Sequence, residues 1–207
     1  MHQTLRCGGS ADKSAQGTNP MHSVQDLAVF SLPPGFRGRS VLMVQLWWIA
    51  QALFVHATPQ AMYGWRRWII RLFGAKIGRD VLIRPSVRIT YPWRVTIGDR
   101  AWIGDGVELY SVGDIVIGHD AVISQGSYLC TGSHDHRDPS FPVFARSIVV
   151  EPEAWIAAQC LVGPGVRIGR GAVIGLRSLV LADVPAYAVA FGHPATVVGD
   201  RLGKCQQ

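Results

Sequence analysis

Between Ile77 and Val184 an aliphatic residue returns at every sixth position, and this period restricts the fold more than any other feature of the chain. The sixes open on Ile77, Ile83 and Ile89; on Ile97, Ile103 and Leu109; on Ile117, Ile123 and Leu129. After a break they resume at Val150, Ile156, Val162, Ile168, Ile174 and Val180. Four places after the opener the residue is usually small or aliphatic, as in Val81, Ala101, Val107, Ala121, Ser127, Ala154, Cys160, Ala172 and Ser178; Trp93 and Gly113 are the outliers. The place directly after the opener is often Gly, as in Gly78, Gly98, Gly104, Gly118, Gly163, Gly169 and Gly175.

An α-helix cannot use this spacing. Six residues rotate it by ~600°, so successive openers scatter around the axis. A sandwich of short strands has no fixed period of six. A parallel β-helix has one: each six is a short strand and a turn, the opener and the residue four later point inward, and Gly takes the corner. Three sixes close one triangular coil. Two-residue offsets at Val95-Thr96 and Ile115-Val116 each follow three sixes and mark coil boundaries. The expectation is an all-β chain, a parallel β-helix of about five coils over residues 77–185, interrupted by an excursion loop at residues 134–147. A loop inside a strict repeat is a functional candidate, because the scaffold does not need it.

The flanks read differently. Residues 1–30 form an N-terminal segment expected to be disordered, polar and Gly/Ser-rich through about residue 20 and without a signal-peptide core; Met21 is an alternative start. Residues 31–76 form a helical extension. An extended lead-in over residues 31–39 precedes the apolar run Val41–Ala57, slightly short of the ~20 residues of a spanning helix. Then comes Tyr63–Phe73, where Arg66, Arg67 and Arg71 alternate with Trp65, Trp68, Ile69, Ile70, Leu72 and Phe73. Two readings stand: both helices pack on the β-helix or between subunits, or residues 41–73 lie on an anionic membrane with the arginines toward its headgroups. Residues 186–207 are a C-terminal tail.

The formal net charge of +6 suits anionic partners. The basic residues are scattered, with no aromatic platform and no zinc spacing, which argues against nucleic acid. Cys7, Cys130, Cys160 and Cys205 form no CxxC pair and no disulfide ladder, which fits a reducing cytoplasm.

The unit Ile-Gly-x-x-Ala-x resembles the hexapeptide signature of the left-handed β-helix acyltransferases. The left hand, opposite to the usual crossover rule, is implied by the resemblance. Thr131-Gly-Ser-His134, at the mouth of the loop, resembles the catalytic stretch of the galactoside, maltose and nodulation O-acetyltransferases. The longer run through Asp135 with Arg137-Asp-Pro-Ser-Phe141 is closer still to the exopolysaccharide O-acetyltransferases of the colanic-acid type. So are Arg71-Leu-Phe-Gly-Ala-Lys-Ile-Gly78 and Pro85-Ser-Val-Arg-Ile89. The similarity spans roughly residues 36–198. It implies a homotrimer with sites shared between subunits. It also implies transfer of acetyl from acetyl-CoA, without a metal, to a hydroxyl of a sugar, namely an exopolysaccharide or a lipid-linked oligosaccharide precursor. Such an enzyme is expected in the cytoplasm, with a peripheral contact at the inner membrane.

The chemistry needs a base, because a sugar hydroxyl is a poor nucleophile at neutral pH and imidazole titrates near working pH. His134 is the expected base and His136 its competitor two residues on. Asp135 and Asp138 are candidates to orient the ring. Expected acceptor contacts are Asp105, Glu108, Tyr110, Ser111 and Asp135. The resemblance further implies that coenzyme A runs along the later coils, past Trp155, Ala157 and Ala158 and past Gly175, Leu176 and Arg177. The family's basic residues near the nucleotide phosphates are here Leu181-Ala182 and Thr196, so Arg177, Arg201 or Lys204 is expected to replace them.

Rival readings share the scaffold. A γ-class carbonic anhydrase needs three His with zinc geometry, and His119, His134 and His136 lack the spacing. A non-catalytic scaffold would fit the altered phosphate end but not the intact Thr-Gly-Ser-His. An acetyltransferase for an amino sugar or serine differs only in its acceptor.

Overall fold

A computed structural model describes residues 24–203. The repeat winds into a triangular prism with three parallel sheets. The first face stacks Lys76–Ile77, Val95–Ile97, Ile115–Ile117, Ile148–Val150 and Arg167–Ile168. The second stacks Leu82–Ile83, Trp102–Ile103, Val122–Ile123, Trp155–Ile156 and Val173–Ile174. The third stacks Arg88–Ile89, Glu108–Tyr110, Tyr128–Cys130, Leu161–Val162 and Leu179–Val180. Openers pair with openers, as in Ile97 with Ile117 and Ile156 with Ile174. The expected count of about five becomes five complete coils and a partial sixth, in which Val184 bridges to Ile168.

The core is the one the period implies. Every opener is buried, and so are Val81, Ala101, Val107, Ala121, Ser127, Ala154, Cys160, Ala172 and Ser178. The role of glycine is corrected. The Gly after each opener keeps an ordinary φ; what it lacks is room, because a Cβ on Gly98 would stand 2.5 Å from His119 N and one on Gly118 2.4 Å from Pro152 N. The left-handed residue sits two places later, at Asp80, Arg100, Asp120, Glu153, Gln159 and Arg177. Its N–H donates to the coil before, as Asp120 N does to Asp99 O at 2.9 Å.

Both ends are closed. Residues 186–207, read as a tail, contain an antiparallel hairpin of Ala188–Gly192 and Ala195–Asp200 that extends the second face through Val173 and Ile174. At the other end lie α1 (Val41–Ala50), a π-helical continuation (Gln51–His56) and α2 (Tyr63–Leu72). Trp47, Val55, Ile69 and Ile70 are buried in the same core as Ile77 and Ile83.

These helices also satisfy the first coil, whose outer edge has no neighbouring coil. Trp47 Nε1 donates to Ile89 O (2.8 Å), Gln51 Oε1 accepts from Ile89 N (2.7 Å), and the His56 ring bonds Val87 O (3.0 Å). Arg66 Nε donates to Ile83 O at 2.7 Å, Arg67 Nη1 to Val81 O at 2.9 Å, and Arg71 Nη2 to Ile77 O and Gly78 O at 2.8 and 2.7 Å. The arginines expected to face lipid headgroups are thus turned toward the β-helix. Arg66 is fully buried, and burial pulls its guanidinium below the ordinary value.

Disorder over residues 1–30 is corrected from Val24 onward; residues 1–23 lie outside the described residues. Asp26 Oδ1 caps a 3-10 turn, Leu27–Val29, by accepting from Ala28 N at 3.0 Å. The polar run ends before this turn, which packs on the excursion.

Replacing Arg66 with Ala strips donors from four carbonyl or hydroxyl partners, Ile83, Thr58, Pro59 and Gln60. The expected loss is ~3 kcal/mol in chemical denaturation. Arg39→Ala, at an exposed position, should stay within ~0.5 kcal/mol.

Candidate active site

The excursion is a hairpin. Gly132–His134 pairs antiparallel with Val143–Ala145, opposing Gly132 to Ala145 and His134 to Val143. It leaves at the corner between the third and first faces, opposite the second. Thr131 anchors it: its buried hydroxyl donates to Tyr110 O at 2.6 Å and accepts from Gly113 N at 2.8 Å. Gly132 is required by space, since a Cβ there would lie 2.5 Å from Val112 Cγ2. Ser133 is exposed, and His134 ends the strand.

The His134 ring is fixed by Phe141. Nδ1 lies 2.9 Å from Phe141 O, and the two rings stack with centroids 4.2 Å apart and planes 9° apart. A carbonyl only accepts, so the neutral ring carries its proton on Nδ1 and leaves Nε2 with a free lone pair. Phe141 takes a left-handed φ of +50° at the end of a turn. Asp138 builds that turn, accepting from Ser140 N and Oγ at 2.8 Å. Asp135 accepts from Arg137 N at 3.0 Å. The orienting group is therefore the Phe141 carbonyl and neither expected carboxylate. Backbone acceptors leave no trace in composition; the turn-forming residues Asp138, Pro139 and Ser140 are the one local signal that could have pointed to it. His136 is exposed.

His134 lines a cavity of about 330 Å³ with Phe30, Arg37, Gln45, Trp48, Tyr91 and Tyr110. Of the expected acceptor residues only Tyr110 is there. Burial holds its phenol above the ordinary value, so it remains an O–H donor at neutral pH. Ser111 is buried and joined to Tyr91 N and O at 2.9 and 3.0 Å, a rung between coils. Glu108 stands on the third face between Arg88 and Tyr128. Asp105 accepts from Ser86 Oγ at 2.9 Å and pairs with Arg84 at 3.4 Å, on a different cavity.

The expected coenzyme residues do converge. Trp155, Ala157, Ala158, Gly175 and Leu176 line one groove of about 340 Å³ on the second face, with Ser124 and Gln125. Ser124 Oγ accepts from Trp155 Nε1 at 3.0 Å and fixes the indole. Ser124, Gln125 and Trp155 also line a wider cavity of about 900 Å³ that reaches Trp102, Asp105 and Arg201. Arg201 is a structural brace: Nη1 donates to Glu153 O at 3.0 Å and Gly171 O at 3.1 Å. Arg177 is exposed beside Leu176, and Lys204 lies outside the described residues. Within one chain the His134 cavity and the coenzyme groove share no lining residue. Among the described residues no group of three His, Cys, Asp or Glu is placed to hold a metal ion.

No family model matches the chain. It is 53% identical over 179 residues to WcaF of Escherichia coli K12, a protein named for acetyl transfer in colanic acid biosynthesis, covering 86% of this chain and 98% of that one. The galactoside O-acetyltransferase of the same organism is 26% identical over 148 residues, 70% of this chain and 72% of the relative. Among solved structures, a hexapeptide-repeat acetyltransferase of Vibrio cholerae in complex with acetyl coenzyme A superposes with a TM-score of 0.71 at 22% identity, covering 79% of this chain and 91% of the other. A galactoside acetyltransferase in complex with coenzyme A gives 0.72 at 22%, covering 83% and 84%. The fold is accordingly the left-handed β-helix. The chain belongs to the WcaF family of hexapeptide-repeat acetyltransferases.

Proposed function

We propose that this protein moves acetyl from acetyl-CoA to a sugar hydroxyl of an exopolysaccharide or its lipid-linked precursor, at sites shared between the subunits of a homotrimer. One observation carries the reading. His134 sits in a cavity with Nδ1 held by the Phe141 carbonyl, so Nε2 is free to accept a proton. The acceptor oxygen attacks the thioester carbonyl carbon as Nε2 takes its proton. The tetrahedral adduct then collapses, the C–S bond breaks, and the imidazolium returns the proton to the thiolate. The products are an acetyl ester and free coenzyme A, with the imidazole neutral again.

The trimer is supported by the separation of the two cavities. His134 belongs to the corner opposite the second face, and Trp155 and Leu176 belong to that face. A neighbouring copy that presents its second face to this corner would complete the site. Asp105, Glu108 and Asp135 remain proposed acceptor contacts in that assembly. Arg177 remains the proposed partner of the coenzyme phosphates.

Membrane contact is proposed on altered grounds. Leu42, Leu46, Trp48, Ile49 and Leu53 of the first helical stretch are exposed, as are Trp68 and Leu72 of α2. No described helix is long and apolar enough to cross a membrane. With the arginines engaged, binding at the cytoplasmic face would rest on apolar contact and aromatic side chains at the headgroup zone.

His134→Ala should lower turnover with a sugar acceptor by ~10²–10⁴-fold at unchanged KM for acetyl-CoA, while His136→Ala stays near wild type. Light scattering should give a trimer; a stable active monomer would count against the shared site. Flotation with anionic liposomes should show binding that survives high salt, and no binding at any salt would assign the apolar helix face to subunit packing. An acceptor screen with labelled acetyl-CoA separates sugars from amino sugars and serine, and absence of thiol release with every acceptor would leave a scaffold.

A further inference from the structure

The stretch before α1 supplies a wall of the His134 cavity that the repeat does not. It is tied down at both ends, to different parts of the molecule. At one end Trp93 Nε1 donates to Arg37 O at 2.8 Å and Arg94 Nη2 to Phe36 O at 2.8 Å, both from the corner of the first coil. At the other end Asp26 N donates to Pro139 O at 2.7 Å, in the turn that presents Phe141. Pro33 and Pro34 stiffen the stretch between. A turn follows, with Phe36 N bonded to Pro33 O at 3.0 Å and Gly35 at φ +73°, a value glycine adopts without strain.

Between the ties Phe30 meets the base. Its ring centroid is 5.8 Å from that of His134, at an interplanar angle of 48°. Leu32, Phe36 and Arg37 line the same cavity. Little of the stretch is buried: Val24, Leu27 and Val29 are 82%, 63% and 58% exposed. Ordering a segment costs conformational entropy, and this one gains little core in return. Its packing is concentrated on the cavity and on the hairpin turn.

We propose that residues 24–37 are a strap that forms the acceptor side of the site, and that Phe30 is the surface against which the acceptor ring packs beside His134. This rests on the reading of a sugar acceptor and adds where that sugar lies. Phe141 already covers one side of the imidazole. Phe30 adds an apolar surface of the kind that suits the C–H face of a pyranose, while Arg37, Gln45 and Tyr110 offer hydrogen bonds to hydroxyls. The cavity of about 330 Å³ is at the small end for ligand sites, which suits the terminal part of an acceptor.

The test uses the full chain with Phe30→Ala and Phe30→Trp. Phe30→Ala should raise the acceptor KM by about three- to tenfold and leave the acetyl-CoA KM within about twofold; Phe30→Trp should restore most of the loss. Equal changes in both KM values, or an unchanged acceptor KM, would overturn the proposal. A substrate-free readout is the rate of His134 carbethoxylation by diethyl pyrocarbonate, followed by peptide mass spectrometry. Phe30→Ala should increase that rate, and an unchanged rate would also overturn it. If wild type acetylates no sugar, the functional reading fails, while the His134 modification rate still decides whether the strap covers the base.

Discussion

Each coil of a β-helix is hydrogen-bonded to the coils on either side, and the first coil has nothing beneath it. That unpaired edge is the constraint on which the rest of this structure depends. Left open, it would expose a row of backbone donors and acceptors and a hole into the core. The helical extension answers both needs. Trp47, Val55, Ile69 and Ile70 fill the hole, and Trp47, Gln51, His56, Arg66, Arg67 and Arg71 bond the backbone groups of the edge. Gln51 and His56, two of the polar side chains that interrupt the apolar stretch, bond the edge, while Gln45 lines the His134 cavity. This engagement leaves the opposite side of the helices apolar and exposed, the feature from which membrane contact is argued.

The same economy of space shapes the site. Coils stack so closely that the residue after the opener has no room for a Cβ at Gly98 or Gly118. A chain wound so tightly has no slack for an extra functional side chain, and His134, the proposed base, lies where the repeat is broken. Thr131 fastens the break to the coil before, Gly132 passes Val112 where no side chain fits, and His134 emerges with its ring against Phe141. The regular rhythm of the scaffold and the irregular hairpin are complementary: the first provides a rigid base, the second presents His134.

The fold was legible because its signal is periodic. Ile77 to Val180 carry the period, and every one of these openers is buried. The convergence of Trp155, Ala157, Ala158, Gly175 and Leu176 on one groove and the place of His134 on the excursion hairpin were legible through local motifs with fixed spacing. What the sequence hid depends on contacts between distant segments. Ser111 reads as a polar residue near the site, yet its hydroxyl joins two coils through Tyr91. Arg201 reads as a free cation, yet it bonds Glu153 O and Gly171 O. Phe30 lay within a segment read as disordered, because a strap held by a few long-range ties has no period and no hydrophobic run.

The proposed acetyl transfer turns on which nitrogen of His134 is free. If the Phe141 carbonyl fixes the ring, the neutral imidazole must carry its proton on Nδ1 and present a bare Nε2 to the acceptor. Nitrogen-15 NMR of the histidine side chains, with His134 assigned by its loss in a His134→Gln variant, reads the tautomer directly. The expected result is the Nδ1–H form for the neutral ring. A neutral ring protonated on Nε2 would contradict it, because that nitrogen could then take no proton from an attacking hydroxyl.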